Sequence, residues 1–140
     1  MKWIYVFLIL FVSVFSIFSQ NGETTNMIPM GMVDPSENEN AMNAYILGTK
    51  YLNENNLDEA VVQLSLALEY DPEFVDAMDH LGLTYRRLGK YKEAEIIYLK
   101  SMKLMPTNLA VYTNLGNLYR LEGRLEDARQ IYIKLMELDK

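Results

Sequence analysis

Three glycines stand 34 residues apart, at Gly48, Gly82 and Gly116, and the chain from residue 41 onward keeps step with them. A leucine precedes each one (Leu47, Leu81, Leu115), and a tyrosine follows three residues later (Tyr51, Tyr85, Tyr119). Twelve residues beyond each glycine comes an alanine, Ala60, Ala94 and Ala128, and Pro72 and Pro106 close the first two periods. A fixed period of this length marks stacked supersecondary units, each too small to bury its apolar face without a neighbour. Function in such a chain is sought on its surfaces.

Within each period the apolar positions recur at helical steps. Met78, Leu81, Gly82 and Tyr85 share one face, and after Gly89-Lys90 a second stripe runs through Tyr91, Ala94, Ile97, Tyr98 and Ser101. Pro106 then removes an amide and blocks continuation. The same spacing predicts helices near 41–54, 57–70, 75–88, 91–104, 109–122 and 125–138. The turns inside each pair, at Asn55-Asn56, Gly89-Lys90 and Gly123-Arg124, tolerate left-handed backbone. Glycine inside a helix costs about 1 kcal/mol relative to alanine, so three at equivalent places imply close approach of the paired helix. The small Ala60, Ala94 and Ala128 are the expected partners in that approach. The fold expected is all-α, an α-solenoid of three antiparallel helix pairs over 41–74, 75–108 and 109–140.

The first residues differ in kind. Lys2 precedes an apolar run from Trp3 to Phe18, broken only by Ser13 and Ser16, and polar sequence follows from Ser19. This is the pattern of a secretory signal peptide over residues 1–19. The rival is an uncleaved anchor in an inner membrane, formed by residues 3–18. As a helix that run spans about 24 Å, short of the ~30 Å hydrocarbon core. Both readings place the remainder in the periplasm or otherwise outside the cytoplasm, and only the anchor brings membrane contact. Residues 20–40 are polar, carry Gly and Pro, and read as a flexible linker, with Asp34-Pro35 suited to cap a helix entry.

Composition removes several function classes. The net charge of −6 argues against a nucleic-acid surface, which needs a basic face. The lack of cysteine excludes thiolate zinc sites, iron–sulfur clusters and disulfides. His80 alone cannot build a multi-histidine site. No nucleophile elbow, phosphate loop or metal-ligand spacing is present, so no enzyme, cofactor or small-molecule substrate is expected. Asp76 and His80 lie four apart on one helix and read as a surface ion pair. Met27, Met30 and Met32 form a thioether cluster that suits Cu(I), and extracytoplasmic copper handling is the alternative function; a linker with adaptable apolar residues explains the same cluster.

The Leu-Gly-x-x-Tyr motif, the later alanine, the aromatics Tyr98 and Tyr132 and the closing prolines together resemble the tetratricopeptide repeat, over residues 41–140, and the resemblance implies that the α-solenoid is right-handed. The chain departs from the pattern in places. Ala44 stands where the third unit has Tyr112, which implies a lightly packed end, and Leu135 stands where the others have Ala67 and Ser101. Lys140 takes the place of a closing proline, with no further polar helix after it.

The resemblance implies a protein or peptide partner, held on a concave groove lined by the first helix of each pair. Carried onto this chain, the groove comprises Met42, Tyr45, Thr49 and Leu52, then Asp76, Asp79, Leu83 and Arg86 with His80 and Arg87 beside them. Ala110, Thr113, Asn117 and Arg120 follow, flanked by Asn114. The strongest candidates are Tyr45, Thr49, Asp79, His80, Arg86, Asn114, Asn117 and Arg120. Guanidiniums at Arg86 and Arg120 suit carboxylates, and Asn114 and Asn117 suit an extended peptide backbone. The clamp that some family members use on acidic chaperone tails is not reproduced, because Tyr45, Thr49, His80 and Ala110 stand at most of its positions. The last helix offers a second candidate surface through Ile131, Leu135 and Leu138, for self-association or a partner.

Overall fold

The computed structural model describes residues 35–140. They form six helices: α1 (Pro35–Asn53), α2 (Leu57–Tyr70), α3 (Val75–Arg87), α4 (Tyr91–Leu104), α5 (Leu109–Leu121) and α6 (Leu125–Leu138). Helices α2 to α6 match the expected bounds to within one residue. Helix α1 starts six residues earlier than the periodicity indicated. No apolar stripe runs through residues 35–40, so the pattern is blind there, while Pro35 has the dihedral preset for a first helical position. The leader read over residues 1–19 and the cluster Met27, Met30 and Met32 lie outside the described residues. No described helix is long and apolar enough to cross a membrane.

The chain reverses in the same way inside each pair. Asn55, Gly89 and Gly123, again 34 apart, all have positive φ, at 60°, 73° and 74°. At each turn two amides fold back on the helix just ended. Asn56 N donates to Tyr51 O at 2.9 Å and Asn55 N to Leu52 O at 3.2 Å. Lys90 and Gly89 repeat the pattern on Tyr85 and Arg86, and Arg124 and Gly123 repeat it on Tyr119 and Arg120. This 6→1 and 5→2 arrangement satisfies carbonyls that a helix end otherwise leaves free, and it requires the left-handed residue.

Each helix packs against its partner, and α2 and α4 also pack against the first helix of the following pair. The first helices also touch one another, α1 with α3 and α3 with α5, whereas among the described residues the second helices α2, α4 and α6 do not. A layer whose members touch lies on the inside of a bend, and a layer whose members are splayed lies on the outside. The α1/α3/α5 face is therefore the concave one.

The glycines sit between the two layers, and their partners are not the alanines. A Cβ on Gly48 would meet Leu64 Cγ at 2.7 Å, one on Gly82 would meet Tyr98 Cε1 at 2.5 Å, and one on Gly116 would meet Tyr132 Cε1 at 2.6 Å. Each glycine is a notch that receives a large side chain sixteen residues on. Ala60, Ala94 and Ala128 are buried near the start of the second helices. The periodicity located the demand; at Gly82 and Gly116 its cause is a tyrosine ring, and at Gly48 it is the Leu64 side chain together with the paired helix's backbone, whose Leu64 N would lie 3.1 Å from a Cβ.

Tyr98, Leu64, Met78, Leu115, Leu118 and Val111 are the largest fully buried side chains. Each contributes about 1.5–3 kcal/mol through removal of apolar surface from water. At the first junction Ala44, Ala67 and Ala77 form a small-residue cluster that Tyr45 and Phe74 cover. The space opened by Ala44 is thus closed by neighbouring aromatics.

Candidate functional site

The concave face divides into three stretches, one per first helix. On α1, Tyr45 packs against Phe74 with ring centroids 4.9 Å apart, and meets the His80 ring edge-on at 5.4 Å. Burial raises its phenol pKa, and the charges of Asp76 and Asp79 add to the shift. Thr49 Oγ1 donates to Ile46 O at 2.9 Å, a bond to its own helix that leaves only acceptor capacity free. Leu52 is 3% exposed and belongs to the core, so the groove position assigned to it is filled by packing.

On α3 the expected Asp76–His80 ion pair is absent. His80 Nδ1 instead donates to the backbone oxygen of Asp76 at 2.8 Å. A carbonyl only accepts, so this contact fixes the proton on Nδ1 and leaves Nε2 to a ligand or solvent. The helical spacing that suggested the pair puts the imidazole equally close to the carbonyl four residues back.

Asp79 has a structural job. Its Oδ1 accepts from Ser101 Oγ at 2.5 Å and its Oδ2 from Asn108 Nδ2 at 2.6 Å. Asn108 Oδ1 in turn accepts from Ala110 N at 3.1 Å and caps α5. One carboxylate thereby ties α3 to α4 and to the start of the next pair. Burial raises the Asp79 pKa, and the two hydrogen bonds work against that rise. The corresponding positions of the first unit are Tyr45, Ala67 and Phe74, an apolar version of the same bridge. Exchange of all three residues together was legible in the sequence as a concerted polar swap.

Arg86 is half-buried, and its Nε lies covered without a hydrogen-bond partner. Arg87 turns away to donate from Nη1 to Leu52 O at 3.2 Å, at the end of α1. On α5, Arg120 is exposed and Asn114 half-buried, while Asn117 Oδ1 accepts from the Tyr132 hydroxyl at 3.0 Å. Among the described residues neither Arg86 nor Arg120 is in a salt bridge. Arg120 is thus exposed and Arg86 half-buried, both outside salt bridges, whereas Asp79, Thr49 and Asn117 hold internal bonds.

Another network, missed in the sequence, joins the second and third pairs. Tyr119 OH donates to Glu95 Oε1 at 2.7 Å, and Arg124 Nη1 reaches both Glu95 oxygens at 3.1 Å. The Arg124 guanidinium also lies 4.0 Å from the Tyr119 ring centroid. Burial, followed by the bond to Glu95 and that residue's charge, pushes the Tyr119 phenol up to about 12. On α6, Ile131, Leu135 and Leu138 rest on the core cluster of α4 to α6 and remain partly exposed. The more exposed apolar residues of that helix are Leu125 and Met136, at 66% and 62%. No group of three or more metal-binding side chains occurs among the described residues.

Residues 75–108 match a tetratricopeptide repeat model, and residues 97–130 match a second one. The fold is a tetratricopeptide solenoid. A crystal structure of MamA is 26% identical, covers 71% of this chain and 58% of its own, and superposes with a TM-score of 0.69. This chain therefore spans little more than half of that MamA chain. The first tetratricopeptide domain of Spaghetti (RPAP3), bound to the HSP90 peptide SRMEEVD, is 24% identical, with coverages of 72% and 80% and a TM-score of 0.69. The tetratricopeptide domain of Arabidopsis OM64 is 16% identical over 73% and 84%, with a TM-score of 0.70. No curated protein matches the chain.

Proposed function

We propose that the chain is a non-catalytic binding module that holds an extended segment of a partner protein on the face formed by α1, α3 and α5. The observation that carries this reading is the pair of guanidiniums, Arg86 and Arg120, at equivalent places on adjacent first helices and outside every salt bridge among the described residues. A solenoid built only to be stable has no need of two cations outside salt bridges on one strip. Their charge favours acidic side chains on the partner, and peptide binding by the Spaghetti domain offers a precedent on this fold. Export from the cytoplasm belongs to the same reading, on the strength of Lys2 and the apolar run after it. Mass spectrometry of the mature protein is expected to find Gln20 first.

Site-specific photo-crosslinking tests the choice of face. A photoreactive residue at Asn114, on α5, is expected to capture the partner in extract. The same residue at Ile96, 65% exposed on the outer layer, is expected to capture none. Capture from Ile96 with none from Asn114 would move the interface to the convex side.

A further inference from the structure

The outer layer carries an exposed apolar residue at the same place on its first two helices. Val62 on α2 and Ile96 on α4 are 34 residues apart, and they are 61% and 65% exposed. Charge flanks both, with opposite sign. Asp58 and Glu69 lie on either side of Val62, and at the equivalent places Lys92 and Lys103 lie on either side of Ile96. All four charged residues are exposed. The three positions of each strip fall within about 40° round the helix and span about 16 Å along it, so each set forms one narrow outward strip. The contrast is wider than these positions. From Tyr51 to Tyr85 the chain has eight acidic residues and no basic one. Helix α4 carries three lysines against two glutamates, one of which, Glu95, is taken by Arg124.

The third outer helix is built differently. On α6 the same three places hold Glu126, Gln130 and Glu137, so the apolar centre is gone. Its charges are satisfied within the helix: Glu126 pairs with Arg129 at 2.9 Å and accepts from Gln130 at 2.8 Å, and Glu137 pairs with Lys134 at 3.4 Å. None of Asp58, Glu69, Lys92 and Lys103 is in a salt bridge among the described residues. The two strips do not meet inside the chain, because α2 and α4 are not in contact. Charge kept for solubility alone is mixed in sign, as it is on α6. Charge sorted by helix around an exposed apolar residue marks a surface that meets its complement.

We propose that the outer faces of α2 and α4 join two copies of this chain back to back. A two-fold pair needs a surface complementary to itself. An axis parallel to these helices and midway between them lays α2 of each copy on α4 of the other, so that positions 34 apart meet. Asp58 of one copy then faces Lys92 of the other, Glu69 faces Lys103, and Val62 packs on Ile96, each contact occurring twice. An axis across the helices would instead set α2 on α2, acid against acid. Glu59 and Glu93 also come to equivalent places with like charge, but they lie about 60° further round, at the rim in reach of water. An anionic lipid surface or an acidic protein would fit α4 and be repelled by α2; a second copy uses both strips. The pairing does not depend on the groove reading. It leaves both concave faces open, which makes the assembly bivalent for whatever they hold.

Sedimentation velocity of the full chain tests the pairing. The apolar centre is small, so the expected dissociation constant is on the order of 10 μM at low salt. It should rise steeply toward roughly 1 M salt, where the screening length falls to about 3 Å. Asp58→Lys/Glu69→Lys makes both strips basic, and Lys92→Glu/Lys103→Glu makes both acidic. Each double variant alone should weaken the dimer about a hundredfold while its circular dichroism stays that of the wild type. An equimolar mixture of the two should regain the dimer, because each variant then meets the opposite sign on both strips. A mixture that stays monomeric overturns the pairing, as does a wild type that stays monomeric at about ten times the expected constant. Association that neither variant weakens belongs to another surface, such as α6 or the apolar run of residues 3–18, and overturns it too. Binding of the monomer to anionic phospholipid vesicles, lost with Lys92→Glu/Lys103→Glu, would assign α4 to a membrane instead. In the crosslinking experiment a photoreactive residue at Ile96 should join two copies of the chain, an adduct told from partner capture by its doubled mass.

Discussion

Replacement of Gly82 by alanine puts two physical effects in direct opposition. Helix propensity alone favours the change by about 1 kcal/mol, since alanine is the better helix former. Packing opposes it. The added Cβ would lie 2.5 Å from Tyr98 Cε1 and 2.7 Å from Cδ1, far inside contact distance. The ring it meets is rigid and fully buried, so it has no free volume to enter. Overpacking of this kind costs about 1–3 kcal/mol, and the conflict here belongs at the upper end of that range. The net expectation is a loss of about 1–2 kcal/mol, or a fall in melting temperature of roughly 5–15 °C for a domain of this size. Thermal melts followed by far-UV circular dichroism measure it directly. Gly116→Ala is the internal comparison: its Cβ meets Tyr132, which is only half-buried and has room to shift, so the loss should be smaller. A Gly82→Ala chain that melts higher than the wild type would refute the notch and leave the glycine without a packing reason.

Gly123→Ala should cost about 1–2 kcal/mol through left-handed backbone alone, because a Cβ there meets nothing within 4 Å; a neutral melt would remove the turn argument. Tyr132→Phe should lose about 1 kcal/mol with the bond to Asn117, and denaturant titration reads it. Asp79 gives a pH signature: its pKa is raised in the fold, so its protonated form is favoured there. The stability this confers is present in acid, below the ordinary carboxylate pKa, and fades as pH rises through the raised value. The melting temperature of the wild type minus that of Asp79→Asn should therefore be largest in acid and shrink toward neutrality. The opposite slope would mean that the Ser101 and Asn108 bonds outweigh burial.

The fold was legible because each of its rules acts over a few residues and then repeats. Left-handed turns at Asn55, Gly89 and Gly123, and the stops at Pro72 and Pro106, follow from backbone sterics that a sequence displays openly. The start of α1 was not legible, since residues 35–40 carry no apolar stripe. The groove was legible as a set of positions but not as a set of roles. Thr49, Asp79 and Asn117 look available by helical spacing, yet each is engaged by a partner within the fold. Those partners arrive through the third dimension: Tyr132 reaches Asn117 across Gly116, and Asn108 reaches Asp79 from the next turn. Comparison of the units at a spacing of 34 recovers part of this, as in the joint change of Tyr45, Ala67 and Phe74 to Asp79, Ser101 and Asn108.

The central claim is that the α1/α3/α5 face binds a partner through Arg86 and Arg120. Affinity capture from envelope extract, with the wild type and Arg86→Glu/Arg120→Glu compared by quantitative mass spectrometry, tests it most directly. The partner recovered with the wild type should vanish with the double variant, while the circular dichroism of the two chains stays the same. Equal recovery of that partner by both chains would contradict the account.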